Sequence, residues 1–296
     1  MTKCPACLEP FGRGEFDGLA GHLEARAGES DSDHVRWLNQ NVSRAKIEAP
    51  EISRRLRAYF DLQGRPVSAW IKARFIARFF GREPHPFVRA LQHPSRATLL
   101  GYVVEHQHFL RQWVRSCAYI MARTDRADVV RYELDNLNTE FGGFAGPAHY
   151  ELLLRMGESL GLDRGRILDT PPLPSTRAGI EGWNRIASTQ HWVEALAAMH
   201  SLELIAHRDL VREGASVHYF DPQILTDGSI TEASRQFLRE GYEADVGHAG
   251  EALALVDRYA GELGISEEVQ ATVLRSIDLF DDYLIARLER GSDLAD

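Results

Sequence analysis

The chain has 296 residues, of which 44% are hydrophobic and 26% are charged, and its formal net charge is −9. These values are typical of a soluble globular protein, and the negative charge argues against general affinity for nucleic acid, which requires a basic surface. No apolar run approaches the roughly 20 residues that span a bilayer, and the N-terminus lacks the apolar centre of a secretory signal, so we expect a cytoplasmic protein without a membrane partner.

The first 45 residues are a candidate metal-binding module. Cys4 and Cys7 are separated by two residues, and His22 and His34 follow. Two thiolates at this spacing can chelate a tetrahedral Zn²⁺ ion whose shell two imidazoles complete, and structural zinc would supply folding energy to a segment with few apolar residues. The 11 residues between the histidines exceed the spacing of a common finger. Two reduced cysteines beside unrelated histidines are therefore the alternative.

Most of the remaining sequence has helical periodicity interrupted by glycine- and proline-rich breakers, which predicts an all-α fold with a bundle core. The stretch 162–182, with its PPLP motif, is predicted to be a loop, and VHYF at 217–220 is a weak strand candidate. The predicted helices cover residues 51–60, 67–80, 96–123, 126–140, 148–161, 189–212, 231–262 and 266–290. The predicted units are a zinc-finger-like module (1–45), a helical linker region (46–88) and a metal-binding helical domain (89–292).

Five carboxylate and imidazole side chains fall on the apolar faces of four predicted helices. At about 100° per residue, for example, Asp245 and His248, three residues apart, lie on the face of the 231–262 helix that should be buried. The five residues are Glu140, His149, Glu203, Asp245 and His248. A buried carboxylate without a partner is costly or becomes protonated, so the five groups either neutralise one another or share a cation. Carboxylates mixed with imidazoles inside a bundle suit iron or manganese. Taken singly, each is also explained as a hydrogen-bonded core histidine or a glutamate paired with arginine.

Glu140 and His149 are nine residues apart and would lie on opposite sides of one continuous helix. The intervening FGGFAGP at 141–147 prevents that helix. We therefore expect the chain to turn there and to bring the two side chains to one point.

Three blocks of sequence carry a family resemblance: DNLNTEFGGFAGPAHYELLLRMGESLGL (135–162), ALAAMHSLELIAHRDL (195–210) and FLREGYEADVGHAGEALALV (237–256). Over roughly residues 90–290 the chain resembles the haem-oxygenase-like dimetal oxidases, the seven-helix relatives of the TenA and PqqC proteins. The resemblance implies a haem-oxygenase-like seven-helix bundle with one or two Fe²⁺ ions. The ligands that it implies are Glu140, His149, Glu203, Asp245 and His248.

One position departs from the family pattern. The first histidine of the family's HxxxDxxH motif falls on Gly241, which cannot coordinate a metal. Either the second iron is weakly held or the protein keeps one iron or none. His106 lies in the middle of an apolar stripe of the 96–123 helix. It is a candidate for the missing imidazole or for a hydrogen bond to a ligand, with a structural core histidine as the alternative.

The same resemblance implies O₂-dependent oxidation of a small molecule in a biosynthetic pathway, and an amino acid or a derivative is the expected substrate. Such a substrate needs a partner for its carboxylate. Arg111 and Arg115 share a stripe of the 96–123 helix and suit bidentate carboxylate binding, with salt bridges to surface acids as the alternative.

Two other function classes stay open. The first is a metal-free enzyme, hydrolase-like as in TenA or cofactorless as in PqqC; against the TenA-like form, Cys117 lies alone on an apolar stripe. The second is a zinc-finger protein whose helical domain binds a ligand or a partner. The expected partners are a small-molecule substrate and O₂, and a homodimer is left open.

Overall fold

The computed structural model describes residues 1–142 and 147–294, without the side chains of residues 243–246 and 248. The described chain is almost entirely helical, which confirms the all-α prediction. The helices are α1 (Phe16–Gly28), α2 (Ser32–Asn41), α3 (Ala49–Phe60), α4 (Val67–Phe79), α5 (Pro86–Ala90), α6 (Arg96–Arg123), α7 (Ala127–Leu137), α8 (His149–Ser159), α9 (Arg164–Asp169), α10 (Pro174–Thr189), α11 (Trp192–His200), α12 (Glu232–Leu263) and α13 (Ser266–Asp293). A short hairpin pairs β1 (Thr2–Lys3) with β2 (Pro10–Phe11) in antiparallel register.

Four short helical segments of other types complete the secondary structure. A π-helical turn (Asn138–Gly142) continues α7, and 3₁₀ turns cover Ser201–Ala206, Arg208–Glu213 and Pro222–Thr226. The first two of these segments matter most for the site, because each ends an α-helix and turns the following side chains inward.

Local sequence signals explain where the long helices begin and end. The side chains of Ser95 and Thr231 accept hydrogen bonds from the first turns of α6 and α12. Each satisfies a backbone N–H that has no partner within the helix. Gly264, at φ +66°, ends α12 in the left-handed conformation that glycine adopts without steric cost.

The two long helices α6 and α13 pack together, and α13 also contacts α10 and α11. Glycine makes this close approach feasible. A side chain at Gly101 of α6 would collide with the carbonyl group of Arg287 on α13, and one at Gly291 would meet the carbonyl oxygen of Ala97 at 2.5 Å. Because these backbones touch, the inward side chains of α6 lie directly against those of α13. On the other side of the bundle, α12 packs against α8 and α11.

Three secondary-structure predictions were wrong. The stretch 162–182, predicted to be a loop, contains α9 and the first half of α10. Pro174 stands in the first turn of α10, where a missing N–H costs nothing, and Trp183 and Ile186 bury its inner face. The predicted helix 189–212 ends as an α-helix at His200 and continues as 3₁₀ turns. The strand candidate 217–220 is not a strand.

The N-terminal module docks on the bundle through its first three residues. The terminal ammonium pairs with Glu268, and the Thr2 hydroxyl donates a hydrogen bond of 2.5 Å to Glu267, both on α13. The buried Lys3 ammonium lies 2.6 Å from the Glu194 carboxylate on α11. Helix α3 packs against α1, and α4 packs against α12 and α13. Among the described residues, no helix is both long and apolar enough to cross a membrane.

Candidate metal centre

A cavity of about 100 Å³ lies inside the bundle between α6, α8, α12 and α13. Aromatic and aliphatic side chains form most of its wall, among them Phe109, Leu110, Trp113, Leu202, Phe237 and Phe280. Polar groups enter it at two places: a carboxylate and imidazole cluster, and a buried arginine. Such a mostly apolar cavity with a few convergent polar groups is the usual form of a small-molecule site.

The carboxylate and imidazole cluster contains three of the five predicted iron ligands. Glu140, His149 and Glu203 all line the cavity. Nδ1 of His149 is 3.1 Å from Oε1 of Glu140. The second carboxylate oxygens of Glu140 and Glu203 are buried and have no hydrogen-bond partner among the described residues. Two carboxylates on the wall of one cavity thus each carry an oxygen atom without a hydrogen-bond partner among the described residues, although Glu140, His149 and Glu203 do not bring one ligand atom each within 4.8 Å of one another.

The ends of helices place these three side chains. Glu140 lies in the π-helical turn after α7, and His149 is the first residue of α8. Glu203 lies in the 3₁₀ turn after α11. The structure therefore agrees with the expectation that the break after Glu140 brings it to His149, although residues 143–146 of that break lie outside the described part.

The other two predicted ligands, Asp245 and His248, have side chains outside the described residues. The backbone of α12 runs through both positions, and Gly241, one turn earlier on the same helix, lines the cavity. A Cβ atom added at Gly241 would meet none of the described residues within 4 Å. The described residues thus leave room on the cavity wall at the position where the family motif has its first histidine.

A buried network of ionisable and polar side chains is hydrogen-bonded to Glu203. Oε1 of Glu203 lies 3.1 Å from Nδ1 of His200, whose Nε2 lies 3.0 Å from Oε1 of Glu133. The Tyr132 hydroxyl is 2.9 Å from Nδ1 of His200, and the Asn136 amide donates a hydrogen bond of 3.1 Å to Glu203. Both His200 and Glu133 are fully buried. The network fixes the orientation of Glu203 toward the cavity.

The charges of this network follow from its geometry. Burial alone would lower the pKa of His200, but the carboxylates of Glu133 and Glu203 raise it to about 10. His200 is therefore an imidazolium at neutral pH and compensates one of its two neighbouring carboxylates.

Sequence reasoning missed both His200 and Glu133, although each had a signal. Glu133 lies four residues after Val129 and three before Asn136, on the inward face of α7. His200 precedes Glu203 by three residues. Residues three or four positions apart lie on one side of a helix, so Glu133 shares a face with Val129 and Asn136, and the same spacing relates His200 to Glu203.

Cys117 adjoins the same network. Its sulfur lies within 4.8 Å of the ligand atoms of Glu133 and His200. Burial, together with the Glu133 carboxylate, raises the pKa of the Cys117 thiol well above its ordinary value. The cysteine thus has a histidine neighbour that the sequence did not reveal, but its thiol is kept protonated and unreactive.

The candidates on α6 lie in two different environments. His106 lines the cavity, and its Nδ1 lies 2.8 Å from the Tyr283 hydroxyl and 2.9 Å from Nη2 of Arg287. Arg111 and Arg115 are exposed and are not among the described residues that line the cavity. This placement gives no support to their assignment as carboxylate binders, because the inward stripe of α6 carries His106 while both arginines lie on the solvent side.

The four predicted zinc ligands converge in the N-terminal module. The Cys4 sulfur is 3.6 Å from Nε2 of His34, the Cys7 sulfur is 3.5 Å from Nε2 of His22, and the two Nε2 atoms are 3.0 Å apart. Tetrahedral zinc, with its usual bond lengths, separates sulfur from nitrogen by about 3.6 Å and nitrogen from nitrogen by about 3.3 Å. The ligand set therefore fits structural zinc, with no open coordination position.

The wide spacing of the two zinc-module histidines has a structural explanation. His22 lies on α1 and His34 on α2, so the eleven intervening residues include the turn between two helices. Asp31, whose side chain caps α2, also lies 2.7 Å from Nδ1 of His34. This carboxylate orients the imidazole so that Nε2 faces the other ligands.

Comparison with known proteins places this chain in a family. A model of the TENA/THI-4/PQQC family matches residues 70–290. The chain belongs to this family. A model of the C2H2 type zinc-finger, in one copy, matches residues 1–61. The resemblance to TenA and PqqC proteins and the added zinc-finger segment are thereby confirmed.

Several solved structures resemble this chain in fold. A domain of unknown function from Shewanella denitrificans has 18% identity and a TM-score of 0.58, over 77% of this chain and 92% of that one. A TenA homologue from Pseudomonas syringae has 14% identity and a TM-score of 0.58, over 78% and 96%. The TenA homologue from P. horikoshii has 14% identity and a TM-score of 0.57, over 80% of this chain and 98% of that one. These identities show the fold alone, and no curated protein matches the chain.

Proposed function

We propose that this TENA/THI-4/PQQC family member is a non-haem iron enzyme that uses O₂ to oxidise a small molecule. One observation carries the proposal: on the wall of the cavity that His149 also lines, Glu140 and Glu203 each carry a buried carboxylate oxygen that has no hydrogen-bond partner among the described residues. An unsatisfied buried carboxylate oxygen costs about 1–3 kcal/mol or more. A cation bound between these groups would remove that cost.

The alternatives to a cation are weaker for these two carboxylates. Among the described residues, neither Glu140 nor Glu203 forms an ion pair with lysine or arginine, and the ion-pair partners are His149 and His200 respectively. His200 is shared with Glu133, so three carboxylates face one imidazolium and the imidazole of His149. A mixed oxygen and nitrogen donor set of this kind suits iron or manganese.

Each residue has a defined part in such a centre. Glu140, His149 and Glu203 would hold the iron, and the family pattern adds Asp245 and His248 from α12. Bound iron would supply O₂ activation. His200 and Glu133 orient Glu203, and the aromatic wall excludes water from the reacting substrate.

The open position at Gly241 bears on the number of metals. Gly241, where the family motif has its first histidine, lines the cavity, and the described residues leave room there for water or substrate. We expect one firmly held iron and a second that binds weakly, because the second lacks an imidazole.

Anaerobic titration of zinc-loaded protein with Fe²⁺ tests the proposal. Wild-type protein should bind iron, and Glu140→Gln and Glu203→Gln should each weaken binding by at least about tenfold, because each loses an anionic ligand. Glu105→Gln is the matched control. Glu105 is a buried carboxylate on α6 that pairs with Arg290 and does not line the cavity, so its iron affinity should match that of wild type.

A second readout concerns the reaction. When O₂ is added, the ferrous wild-type protein should consume it in the presence of a compound that the enzyme oxidises. Glu140→Gln and Glu203→Gln should not consume O₂ under the same conditions. Equal iron affinity in wild type and both cavity variants, or zinc as the sole metal that the protein retains, would contradict the iron centre.

A further inference from the structure

Arg287 is a buried cation at the second polar part of the cavity wall. Its side chain is 2% exposed and it lines the same cavity as Glu140 and Glu203. Among the described residues, no carboxylate lies within ion-pair distance of its guanidinium group. A buried charge is normally paired, so an unpaired arginine facing a cavity indicates an anionic ligand.

The protein neighbours of Arg287 are polar but neutral. The guanidinium donates to the hydroxyls of Tyr219 (2.8 Å) and Tyr283 (2.6 Å) and to Nδ1 of His106 (2.9 Å). Burial raises the pKa of both tyrosines, so neither is a phenolate at neutral pH. Burial, with the nearby Arg287 charge, lowers the pKa of His106 well below its ordinary value. These groups orient the guanidinium without neutralising it.

These contacts also determine the state of His106. Arginine only donates hydrogen bonds, so Nδ1 of His106 must accept, and the neutral ring therefore carries its proton on Nε2. In this state neither ring nitrogen offers a lone pair to a metal, which disfavours His106 as the substitute for the missing imidazole. It acts instead as part of the support for Arg287.

The remaining contacts of Arg287 are with aromatic rings, which restrain the plane of its guanidinium group. The guanidinium lies 4.2 Å from the ring centre of Tyr102, 4.4 Å from that of Tyr283 and 5.1 Å from that of Phe87. Stacking on aromatic faces favours a cation but leaves its N–H groups available. Three of the five N–H groups donate to the neighbours above, and Nε has no hydrogen-bond partner among the described residues.

We propose that Arg287 binds the carboxylate of a small organic acid whose apolar body lies along the aromatic and aliphatic wall of the cavity. This assignment names the substrate class of the proposed iron enzyme and in that sense rests on the proposed function. Arg287 is the binding residue, and His106, Tyr219 and Tyr283 position it. A simple alkanoic acid and an α-amino acid share the required carboxylate chemistry, and they differ in the ammonium group of the amino acid.

The test measures binding of four six-carbon probes to zinc-loaded, iron-free protein by calorimetry. Hexanoate and norleucine carry the carboxylate, whereas hexan-1-ol and hexylamine do not. We expect at least one of the two carboxylates to bind wild-type protein at least about tenfold more tightly than the alcohol or the amine. Tighter binding of norleucine than of hexanoate identifies the amino-acid class, and the reverse identifies the alkanoic class.

Two arginine variants assign the binding to this residue. Arg287→Gln should weaken carboxylate binding by at least about tenfold. Arg290→Gln is the matched control, because Arg290 lies three residues along the same helix and pairs with Glu105 outside the cavity. If Arg287→Gln does not fold, Arg287→Lys retains the charge but loses the planar fork, and weakened carboxylate binding is again expected.

Several results would overturn the assignment: the alcohol binds as tightly as the carboxylates, no probe binds wild-type protein at millimolar concentration, or the Arg287 variants bind like wild type. Because no iron is present, carboxylate binding can succeed while the iron titration fails, and the reverse. The two proposals are thus tested separately.

Discussion

The imidazolium of His200 should make the stability of the protein depend on pH in a defined window. Glu133 and Glu203 raise the pKa of His200 to about 10 from its ordinary value of 6.5, against the opposing effect of burial. The folded chain therefore keeps a proton that the unfolded chain releases. The stabilisation is complete below pH 6.5 and is lost as the pH rises through about 10.

The magnitude follows from the separation of the two pKa values. About 3.5 pH units at about 1.4 kcal/mol each give up to about 5 kcal/mol of free energy of unfolding, with a slope of about −1.4 kcal/mol per pH unit between the two values. Replacement of His200 by glutamine removes the proton and leaves two carboxylates facing each other. The variant should be less stable than wild type at pH 7, and the difference should shrink toward pH 9.5.

Urea unfolding of zinc-loaded, iron-free protein at several pH values measures this difference. Subtracting the variant from the wild type at each pH cancels the contribution of the zinc site. His207→Gln is a suitable control, because burial lowers the pKa of His207 and the residue holds no extra proton. A wild-type advantage over His200→Gln that is independent of pH would refute the imidazolium assignment.

Other substitutions test separate parts of the structure. Gly241→His should raise the iron content from about one toward two per chain, measured by metal analysis, because no described residue lies within 4 Å of the added Cβ atom on the cavity wall; unchanged iron would count against the depleted second site. Asp245→Ala or His248→Ala should abolish iron loading while circular dichroism shows nearly intact helicity, and a variant that keeps its iron and melts earlier would make these residues structural. Cys4→Ser should release zinc and lower the melting temperature by several degrees, because the zinc site fixes the segment whose Lys3 docks on α11; retained zinc would contradict the four-ligand site.

The long periodic helices and the carboxylate cluster were predictable because they depend on local patterns. A carboxylate on an apolar stripe is visible in a single sequence, and Glu140 and His149 needed only the glycine-rich break between them to meet. Glu203 was predicted on a false premise. It was placed by the 100° step of an α-helix, whereas it lies in a 3₁₀ turn, yet it still faces the cavity.

The role of Arg287 could not be read from the sequence. Helix α13 is buried on most of its circumference, so its pattern gives no single inward face on which an arginine would stand out. Whether Arg287 is paired depends on which helices surround it, and that is a property of the tertiary packing. The same limitation led to the choice of Arg111 and Arg115, since a stripe of arginines on α6 does not reveal which side of the helix meets solvent.

The cation in the bundle is tested most directly by diffraction at the iron absorption edge from crystals soaked anaerobically in Fe²⁺. The account predicts an anomalous peak in the cavity at bonding distance, about 2.0–2.2 Å, from Glu140, His149 and Glu203. A cavity without iron, in which the second oxygens of Glu140 and Glu203 are instead paired with protein cations or bound through protons, would contradict it.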